Sequence, residues 1–270
     1  MYAISDQEFA HFQRFIFEAA GIALSPAKKA LVSGRLSKRL QARRLTSYGD
    51  YFALLESGRE AQEVQTAIDL LTTNETYFFR EPRHFDLLRR LAAEPPRDGR
   101  RAGQPYRAWS AASSTGEEAY SIAMVLKDCL QGRPFEVVGT DISMRVLQRA
   151  RTGHYPEQRS HHIPQDYLKR YCLKGRGEQA GTLLVDRSIR RHVSFAHANL
   201  NAPLPGLGTF DAVFLRNVMI YFSGVTKQEV LSRVVALLRP GGYLFVGHSE
   251  SLHGMAVPVQ AVAPSVYRRP

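Results

Sequence analysis

The first 94 residues place apolar side chains at the three- and four-residue spacing of amphipathic helices. Phe9, Phe12 and Ile16 follow this spacing, and Ser5 or Asp6 stands where a helix N-cap is expected. Further helices are predicted to begin near Ser25-Pro26, to begin near Thr46 or Ser47, and to cover residues 64–71. No convincing strand pattern occurs in this part, so we predict a helical domain over residues 1–94.

Beyond residue 104 the pattern changes to short apolar runs that alternate with amphipathic helices. Residues 95–104 combine proline, glycine and charge with almost no apolar side chains, which indicates a linker. The runs that follow are rich in β-branched and aromatic residues and cover 106–111, 135–140, 192–196, 210–215 and 242–247. Helices are predicted to begin near Glu117, Met144 and Thr226. This alternation predicts an α/β fold, a parallel sheet with crossover helices, over residues 105–270.

One insertion, at about residues 160–191, interrupts this alternation. It contains Gly175, Gly177 and Gly181 close to the apolar run TLLV, which predicts a small antiparallel β-subdomain and not a crossover helix. Such an insertion is either a surface excursion that supports the main domain or a docking site, since an open strand edge can pair with an extended peptide.

The first predicted strand leads into the segment SAASSTGEEAYSIA, in which small residues form a tight turn before a helix. In a doubly wound fold, a nucleotide-like ligand lies at this turn, and Asp141 at the end of the next strand is spaced to accept hydrogen bonds from ribose hydroxyls. No G-x-G-x-x-G and no G-K-[ST] is present, which disfavours dinucleotides and ATP hydrolysis. Glu117 and Glu118 at the helix start either complement the helix dipole or favour a cationic ligand such as S-adenosylmethionine over NAD.

More polar residues follow other predicted strands. Asn199, Arg216 and Asn217 lie at strand ends, and polar groups at the carboxyl ends of parallel strands converge on one crevice. The segment TTNETYFFRE (72–81) either caps a helix and fills the core, or reaches the same ligand through Asn74, Thr76 and Arg80.

The composition is that of an ordinary globular protein, but its charge is not. Of 270 residues, 44% are hydrophobic and 23% charged, and 36 Lys and Arg against 25 Asp and Glu give a net charge of +11. The excess is concentrated in residues 26–45, which predicts an acidic partner. Two cysteines, no signal-peptide pattern and no apolar run of membrane-spanning length predict a cytoplasmic protein without disulfides.

Together these segments resemble the chemotaxis receptor methyltransferase family, CheR, over nearly the whole chain. The resemblance is carried by TTNETYFFRE, WSAASSTGEEAYSIAM, GTDIS, the ANL at 198–200, FDAVFLRNVMIYF and RPGGYLFVGHSES. It implies a Rossmann-like S-adenosylmethionine-dependent methyltransferase domain, a small N-terminal helical domain and an inserted antiparallel β-subdomain. Glu75 is one departure, because family members often have an apolar residue there.

The resemblance implies a protein-glutamate O-methyltransferase. Its substrates are glutamate side chains on the cytoplasmic helical bundle of chemoreceptors, and its products are glutamyl methyl esters and S-adenosylhomocysteine, for adaptation in chemotaxis-type signalling. It implies a monomer that does not bind nucleic acid or insert into membranes. Carried over by motif, the cofactor contacts are Asn74, Thr76, Arg80, Glu118, Asp141, Asn199, Leu200, Arg216 and Asn217. The residues assigned to catalysis are Arg80, Tyr221 and Arg216.

The family match also gives two charged or glycine-rich segments a purpose. We expect the basic segment to dock on the acidic receptor bundle through Lys28, Lys29, Arg35, Lys38, Arg39, Arg43 and Arg44. We expect the insertion to dock the receptor's C-terminal peptide near Gly175, Gly177 and Gly181.

The expected chemistry needs no general base. A glutamate carboxylate with a pKa of about 4.3 is ionised at neutral pH, so alignment in a desolvated cleft matters more than proton transfer. Either Arg80 or Arg216 could orient that carboxylate. The adjacent His161-His162 lacks the i,i+4 spacing of a helical metal pair, so no metal is expected. Two other hypotheses stay open: a nucleic-acid methyltransferase, suggested by the positive charge, and a non-catalytic adaptor that senses the cofactor.

Overall fold

The computed structural model describes residues 3–94 and 103–270. The predicted linker, residues 95–104, lies outside the described residues except for its last two positions. The α-helices are α1 Asp6–Ala20, α2 Lys29–Arg43, α3 Tyr48–Glu56, α4 Ala61–Leu71, α5 Pro82–Ala93, α6 Glu117–Cys129, α7 Met144–Thr152, α8 Gln165–Tyr171, α9 Arg187–Arg190 and α10 Gly224–Ala236. The strands are β1 Tyr106–Ala111, β2 Phe135–Asp141, β3 His154–Pro156, β4 Cys172–Lys174, β5 Thr182–Val185, β6 Val193–His197, β7 Phe210–Leu215, β8 Leu238–Val246, β9 Gln260–Ala263 and β10 Val266–Arg268.

The helical domain begins as its sequence predicts. Ser5 is the N-cap of α1 and forms a capping box with Glu8. Ser47 caps α3, whereas the proline at Pro26 begins a short 3-10 helix, Pro26–Lys28, that leads into α2. The apolar faces of α1 to α4 bury a common core that includes Phe12, the side chain of which is fully buried. This core is separate from those of the sheet.

The main sheet has the order β6-β2-β1-β7-β8-β10-β9 in the described residues. The first five strands of this order run parallel, β10 runs antiparallel to β8, and β9 runs antiparallel to β10. Successive strands move outward from β1 to β2 and β6 on one side, and then to β7 and β8 on the other. The order therefore reverses at β1, and a ligand crevice is expected beyond its carboxyl end.

The carboxyl ends of the central strands are level with one another. Ala111, the last residue of β1, pairs with Thr140 of β2 and with Leu215 of β7. The residues that follow these three strands therefore meet at one edge of the sheet. The predicted Rossmann-like fold with a helical domain and an antiparallel β-subdomain is confirmed.

The helical domain and the sheet domain divide earlier than the sequence pattern suggested. We predicted that residues 73–94 belong with the N-terminal helices. However, Phe79, Phe85 and Leu88 are buried in the same core cluster as α6 and the sheet. Helix α5 therefore covers the sheet, and its apolar side packs against α6 and the strands.

The antiparallel β-subdomain is larger than the predicted hairpin. In the described chain its strand order is β3-β5-β4, and β3 begins at His154, before the predicted insertion. A 3-10 helix, Glu157–His162, and α8 lie between β3 and β4. Strands β9 and β10, which close the main sheet, were not predicted because they are short and do not follow the alternating pattern. No helix among the described residues has the length and apolar character to cross a membrane.

Candidate active site

A cleft of about 350 Å³ opens beyond the carboxyl ends of the parallel strands, between the sheet and the helical domain. The ends of β1, β2 and β7 form one wall. The opposite wall is formed by the loop after α1 and by residues 72–81, which we call the strap. The volume suits a drug-sized organic ligand. All residues assigned above to cofactor binding or catalysis line this cleft, namely Asn74, Thr76, Arg80, Glu118, Asp141, Asn199, Leu200, Arg216, Asn217 and Tyr221.

The turn between β1 and α6 brings the backbone close to the cleft. Ala112 and Ser114 adopt positive φ angles of 63° and 50°, a conformation that is uncommon for residues with side chains and often found at functional sites. Gly116 has φ 94°, and a Cβ at this position would lie 2.9 Å from the Cβ of Ala150. Only glycine therefore allows α7 to pack against this turn.

Asp141 ends β2 at the floor of the cleft. One of its carboxylate oxygens accepts a hydrogen bond from the backbone N–H of Ser114 at 2.8 Å, and the other accepts one from Ser143 at 2.9 Å. Burial raises the pKa of Asp141 to about 6, and the two N–H groups oppose that rise. At neutral pH the group is an ionised acceptor with free lone pairs, which suits ligand hydroxyl groups.

Arg216 is a buried cation held between two carboxylates. Its Nη1 lies 3.0 Å from Oε2 of Glu118, and its Nη2 lies 3.0 Å from Oε2 of Glu81. It also donates to the backbone carbonyl of Arg80 and lies against the ring of Phe85. Burial raises the pKa of Glu118, and the charge of Arg216 opposes this effect. The guanidinium is thus already engaged by the protein itself.

Arg80 has a different environment. Its Nη1 donates to the backbone carbonyl of Glu75 at 3.0 Å, and its guanidinium lies 5.7 Å from the ring centre of Tyr77. Within residues 3–94 and 103–270, no carboxylate lies within ion-pair distance of Arg80. Among the described residues, Arg80 is therefore the arginine of the cleft that remains available to an anionic ligand group.

The strap is fixed to the sheet domain through its backbone. Ser114 donates its hydroxyl to the carbonyl of Asn74 at 2.9 Å, and the N–H of Phe79 donates to the hydroxyl of Ser121 at 3.0 Å. Phe79 and Glu81 have φ angles of 54° and 59°. These bonds hold the strap in an irregular conformation, with Asn74, Thr76 and Arg80 lining the cleft.

Arg159, from the β-subdomain, holds the middle of the strap. Its Nη1 donates to the carbonyl of Thr76 at 2.5 Å and lies 3.4 Å from Oε1 of Glu117. Glu117 is buried, and this burial raises its pKa. Nearby, the rings of Tyr77 and His162 lie 4.5 Å apart. The sequence did not indicate this link, because Arg159 lies just before the predicted insertion and belongs to no recognised motif.

The remaining polar side chains of the cleft differ in whether they form hydrogen bonds within the protein. Asn199 donates from Nδ2 to the carbonyl of Ala19 at 2.7 Å, which joins the loop after β6 to the end of α1. Asn217 donates to Oε1 of Glu81 at 3.4 Å. The hydroxyl of Tyr221 has no hydrogen-bond partner in the part of the chain that the structure describes.

Glu250 shapes the wall after β7, a role that the sequence analysis missed. Its buried carboxylate accepts hydrogen bonds from the backbone N–H groups of Asn217 at 2.7 Å, Met219 at 2.8 Å and Gly247 at 2.7 Å. These bonds stabilise Asn217 at φ 56°. The GHSES motif contains this acid, but only the neighbouring positions of β7 and β8 bring it to this loop.

The basic segment is less available than its sequence suggested. Arg39 and Arg43 form ion pairs with buried Glu63, Arg35 donates to the last backbone carbonyls of α4, and Lys29 pairs with an acid of α1 at 2.6 Å. These four cations stabilise the helical domain itself, so the predicted docking surface is reduced. In the described chain, the members that are exposed and have no carboxylate partner are Lys28, Lys38 and Arg44. Lys28 also lines the rim of the cleft.

The three glycines of the insertion shape the β-subdomain. A Cβ at Gly175 would lie 1.9 Å from the carbonyl oxygen of Gln179, and Gly177 and Gly181 have φ angles of 56° and 78°. These positions therefore need glycine for the connection between β4 and β5. β4 is one of the two edge strands of this subdomain, so its outer edge offers free backbone groups.

The donor and acceptor set of the cleft fits an organic cation that carries hydroxyl groups. Glu118 and Asp141 supply carboxylates, and the hydroxyl of Ser113 is buried at the cleft without a hydrogen-bond partner among the described residues. A buried hydroxyl without a partner is rare unless a ligand or water completes it. S-adenosylmethionine has a sulfonium, an amino group and ribose hydroxyls, so its chemistry matches this set.

Comparison with known families identifies the family of this chain. The all-alpha domain of CheR methyltransferase matches residues 7–72, and the SAM binding domain of CheR methyltransferase matches residues 74–267. The chain belongs to the CheR methyltransferase family. S-adenosylmethionine is accordingly its cofactor, and the predicted enzyme class is confirmed. The family boundary between residues 72 and 74 agrees with the packing of the strap and α5 on the sheet.

The CheR relatives are similar over nearly their full length. The chemotaxis protein methyltransferase of Escherichia coli strain K12 is 45% identical over 252 residues, which cover 92% of this chain and 86% of that protein. The Salmonella typhimurium LT2 protein of the same name is 41% identical, over 98% of this chain and 91% of that protein. Chemotaxis protein methyltransferase 2 of Pseudomonas aeruginosa is 42% identical, over 97% of this chain and 92% of that protein.

Proposed function

We propose that this CheR chain esterifies glutamate side chains on the cytoplasmic helical bundle of a chemoreceptor and releases S-adenosylhomocysteine, for adaptation in chemotaxis-type signalling. The observation that carries the proposal is the guanidinium of Arg80, which has no carboxylate partner among the described residues, in a cleft whose other arginine is paired with two carboxylates. Bound S-adenosylmethionine supplies an electrophilic methyl group, whose transfer to an ionised carboxylate requires no proton removal.

Arg80 binds the substrate carboxylate in this proposal. Charge-assisted hydrogen bonds of this kind contribute about 1.5–3 kcal/mol. Arg80 belongs to the strap, where Tyr77 is 38% exposed, so a side chain of another protein can approach from solvent. Tyr221 lines the same cleft with a free hydroxyl, and we assign it to the region of the transferred methyl group.

Arg216 acts as a positioning residue in this proposal, and not as a second substrate anchor. Its charge is matched by Glu118 and Glu81, which leaves no full charge for a substrate. By holding Glu118, it orients a carboxylate toward the cationic part of the cofactor. We assign the ribose to Asp141 and the surroundings of the adenine to Asn199 and Leu200. The strap and the loop after β7 complete the cofactor site through Asn74, Thr76 and Asn217.

The exposed basic residues on and near α2 form the proposed receptor surface. Lys28, Lys38 and Arg44 are exposed and have no carboxylate partner within the described residues, and Lys28 also lines the rim of the cleft. A receptor bundle rich in glutamate is complementary to this surface. A substrate of this kind places the enzyme in the cytoplasm, and we propose that it acts as a monomer without nucleic acid.

The outer edge of β4 is the proposed site for an extended C-terminal peptide of the receptor. Backbone groups of an edge strand can pair with an added strand, and Leu173 on β4 is 52% exposed. Peptide binding there would raise the local concentration of the receptor at the cleft. Deletion of the receptor tail should then raise the KM for the receptor and leave kcat unchanged.

The proposal is tested by methyl transfer from radiolabelled S-adenosylmethionine to purified cytoplasmic fragments of chemoreceptors. We expect base-labile label on fragments with glutamates and none on fragments in which these glutamates are replaced by alanine. Calorimetric binding of S-adenosylhomocysteine without label on any receptor fragment would indicate an adaptor and contradict the proposal. Label on RNA at moderate salt would instead support a nucleic-acid methyltransferase.

The receptor surface needs its own matched variants. Lys38→Glu with Arg44→Glu should weaken methylation of the receptor, especially at low salt, and leave S-adenosylhomocysteine affinity unchanged. Arg149→Glu, on the exposed side of α7, introduces the same kind of charge reversal elsewhere and serves as control. Equal effects of the two changes would contradict the proposed surface.

A further inference from the structure

A carboxylate and two imidazoles meet beside the cleft, on the far side of Arg216. Glu81, His84 and His248 each offer one ligand atom, and these atoms all lie within 4.8 Å of one another. Oε2 of Glu81 lies 3.4 Å from Nδ1 of His84 and 3.7 Å from Nε2 of His248. A tetrahedral Zn²⁺ site with bonds of about 2.0–2.1 Å separates its ligand atoms by roughly 3.4 Å. Two of the separations are therefore already close to those of a metal site.

His84 supports this interpretation independently. The residue is 2% exposed, and neither ring nitrogen has a hydrogen-bond partner among the described residues. An imidazole nitrogen without a hydrogen-bond partner is a common metal ligand. Buried polar groups nearly always have partners, so His84 indicates a ligand that completes it.

His248 makes the cluster reachable from solvent. Its side chain is 51% exposed, and its backbone N–H donates to Oε1 of Glu81 at 3.2 Å, which holds the two residues together. The local charge also permits a cation, because Glu81 and Glu118 share the single guanidinium of Arg216. The two carboxylates of Glu81 and Glu118 and the one guanidinium of Arg216 therefore carry a net charge of about −1 when all three are ionised.

We propose that Glu81, His84 and His248 form a binding site for a divalent transition-metal ion of the Zn²⁺ class, and that its occupation inhibits methyl transfer. Two imidazoles and one carboxylate are a ligand set typical of such ions. No metal was expected from the sequence, since His161-His162 lacks the spacing of a helical metal pair, and His84 and His248 lie on distant segments. The fold brings them together where α5 begins beside the end of β8.

The inhibition follows from the other contacts of Glu81. The same carboxylate pairs with Arg216 and accepts a hydrogen bond from Asn217, and both of these residues line the cleft. A metal ion bound to Glu81 draws the carboxylate toward itself and reduces its negative charge. The ion pair with Arg216 and the hydrogen bond from Asn217 are therefore weakened. The metal site and the catalytic cleft are thus linked through one side chain.

Zn²⁺ binding to the metal-free full chain, measured by titration calorimetry, tests the site directly. We expect one Zn²⁺ per chain, and we expect His248→Ala to weaken its binding by at least about tenfold. Loss of a residue that only hydrogen-bonds to a metal ligand already weakens binding by about 10–100-fold, and loss of the ligand itself should cost at least as much. His253→Ala is the control, since it removes an exposed histidine of the same region that lies outside the cluster. Equal Zn²⁺ affinity in both variants would overturn the site.

Cobalt(II) gives a second readout that does not depend on activity. A visible absorption band should appear in the wild type and in His253→Ala, and it should be lost in His248→Ala and in Glu81→Gln. Zn²⁺ should then lower methyl transfer in the wild type and in His253→Ala but not in His248→Ala. Binding without this difference would overturn the inhibitory role. Absence of methyl transfer in chelator-treated enzyme would instead contradict the proposed function, and the binding data would stand apart from it.

Discussion

The two walls of the cleft are built in different ways. On the sheet wall, Asp141 and Arg216 are buried, and the charged group of each is held by partners from more than one segment of the chain. On the strap wall, Thr76 and Arg80 are only partly buried, and their side chains have few partners. The same residue type, arginine, therefore occurs once as a fixed structural cation and once as an available one.

This difference corresponds to two kinds of ligand. Rigid strand ends position groups accurately, which suits a cofactor that is the same in every turnover. The strap is an irregular segment next to solvent, which suits a side chain that arrives on another protein. In this comparison, Arg216 organises the site and Arg80 receives the substrate.

The largest expected effect is a difference in the free energy of unfolding between two single variants, one on each wall, that carry the same substitution. Arg216→Met leaves Glu118 and Glu81 without their shared cation and should lower the free energy of unfolding by about 3–5 kcal/mol. Arg80→Met breaks no ion pair among the described residues and should change it by less than about 0.5 kcal/mol. Chemical denaturation of both variants measures this. Similar losses would mean that the two walls are not different in kind.

The next effect is on catalysis at the strap. Arg80→Met should lower kcat for receptor methylation by roughly 30-fold, because a charge-assisted hydrogen bond of about 2 kcal/mol is lost. The affinity for S-adenosylhomocysteine should change little. Steady-state kinetics and calorimetry separate these quantities. A large loss of cofactor affinity with normal kcat would assign Arg80 to the cofactor and not to the substrate.

At the sheet wall, the affinity for S-adenosylhomocysteine is expected to fall by up to about tenfold for each pH unit below the pKa of Asp141. The pKa of Asp141 is raised to about 6 in the free protein, and its ionised form accepts hydrogen bonds from ligand hydroxyls more strongly than its protonated form does. Affinity for S-adenosylhomocysteine should thus be constant above pH 7 and fall as the pH drops below 6, since ligand binding must then displace a proton. In Asp141→Asn, binding should be weaker and independent of pH in this range. A wild-type affinity that is constant from pH 7 to 5 would rule out this role.

The smallest effect concerns the support of the strap. Arg159→Ala removes the bond to the carbonyl of Thr76 and the contact with Glu117, so the KM for S-adenosylmethionine should rise by about fivefold, or roughly 1 kcal/mol. Arg159→Lys should restore part of this, and kcat should change less than KM. Arg187→Ala, an exposed arginine of α9, is the control. Unchanged KM in Arg159→Ala would show that the strap holds its position without the β-subdomain.

Local pattern predicted much of the architecture. The caps at Ser5 and Ser47, the strands that begin at Tyr106 and Phe210, and the start of α6 at Glu117 all follow from spacing and capping preferences, which act over a few residues. The cleft residues were predicted through strand ends and motif resemblance. Both signals are local in sequence and independent of side-chain contacts.

Contacts between segments that are distant in sequence could not be predicted from these local patterns. The basic helix looked like a free surface, yet Arg39 and Arg43 pair with Glu63 of α4. Helix α5 looked like part of the N-terminal domain, yet its apolar side packs on the sheet. Charge and hydrophobicity state what a residue can contact, but the partner depends on which elements become neighbours.

The class of fold, the order of its elements and the chemical types of residue at the strand ends follow from the amino-acid pattern alone. Which of the two arginines lacks a carboxylate partner depends on folding, because Glu81 and Glu118 come to lie on either side of Arg216 only in the folded chain. The same holds for His84 and His248, which become neighbours where α5 meets the end of β8. Ionisation and availability depend on distance and burial, and these arise only when the chain is folded.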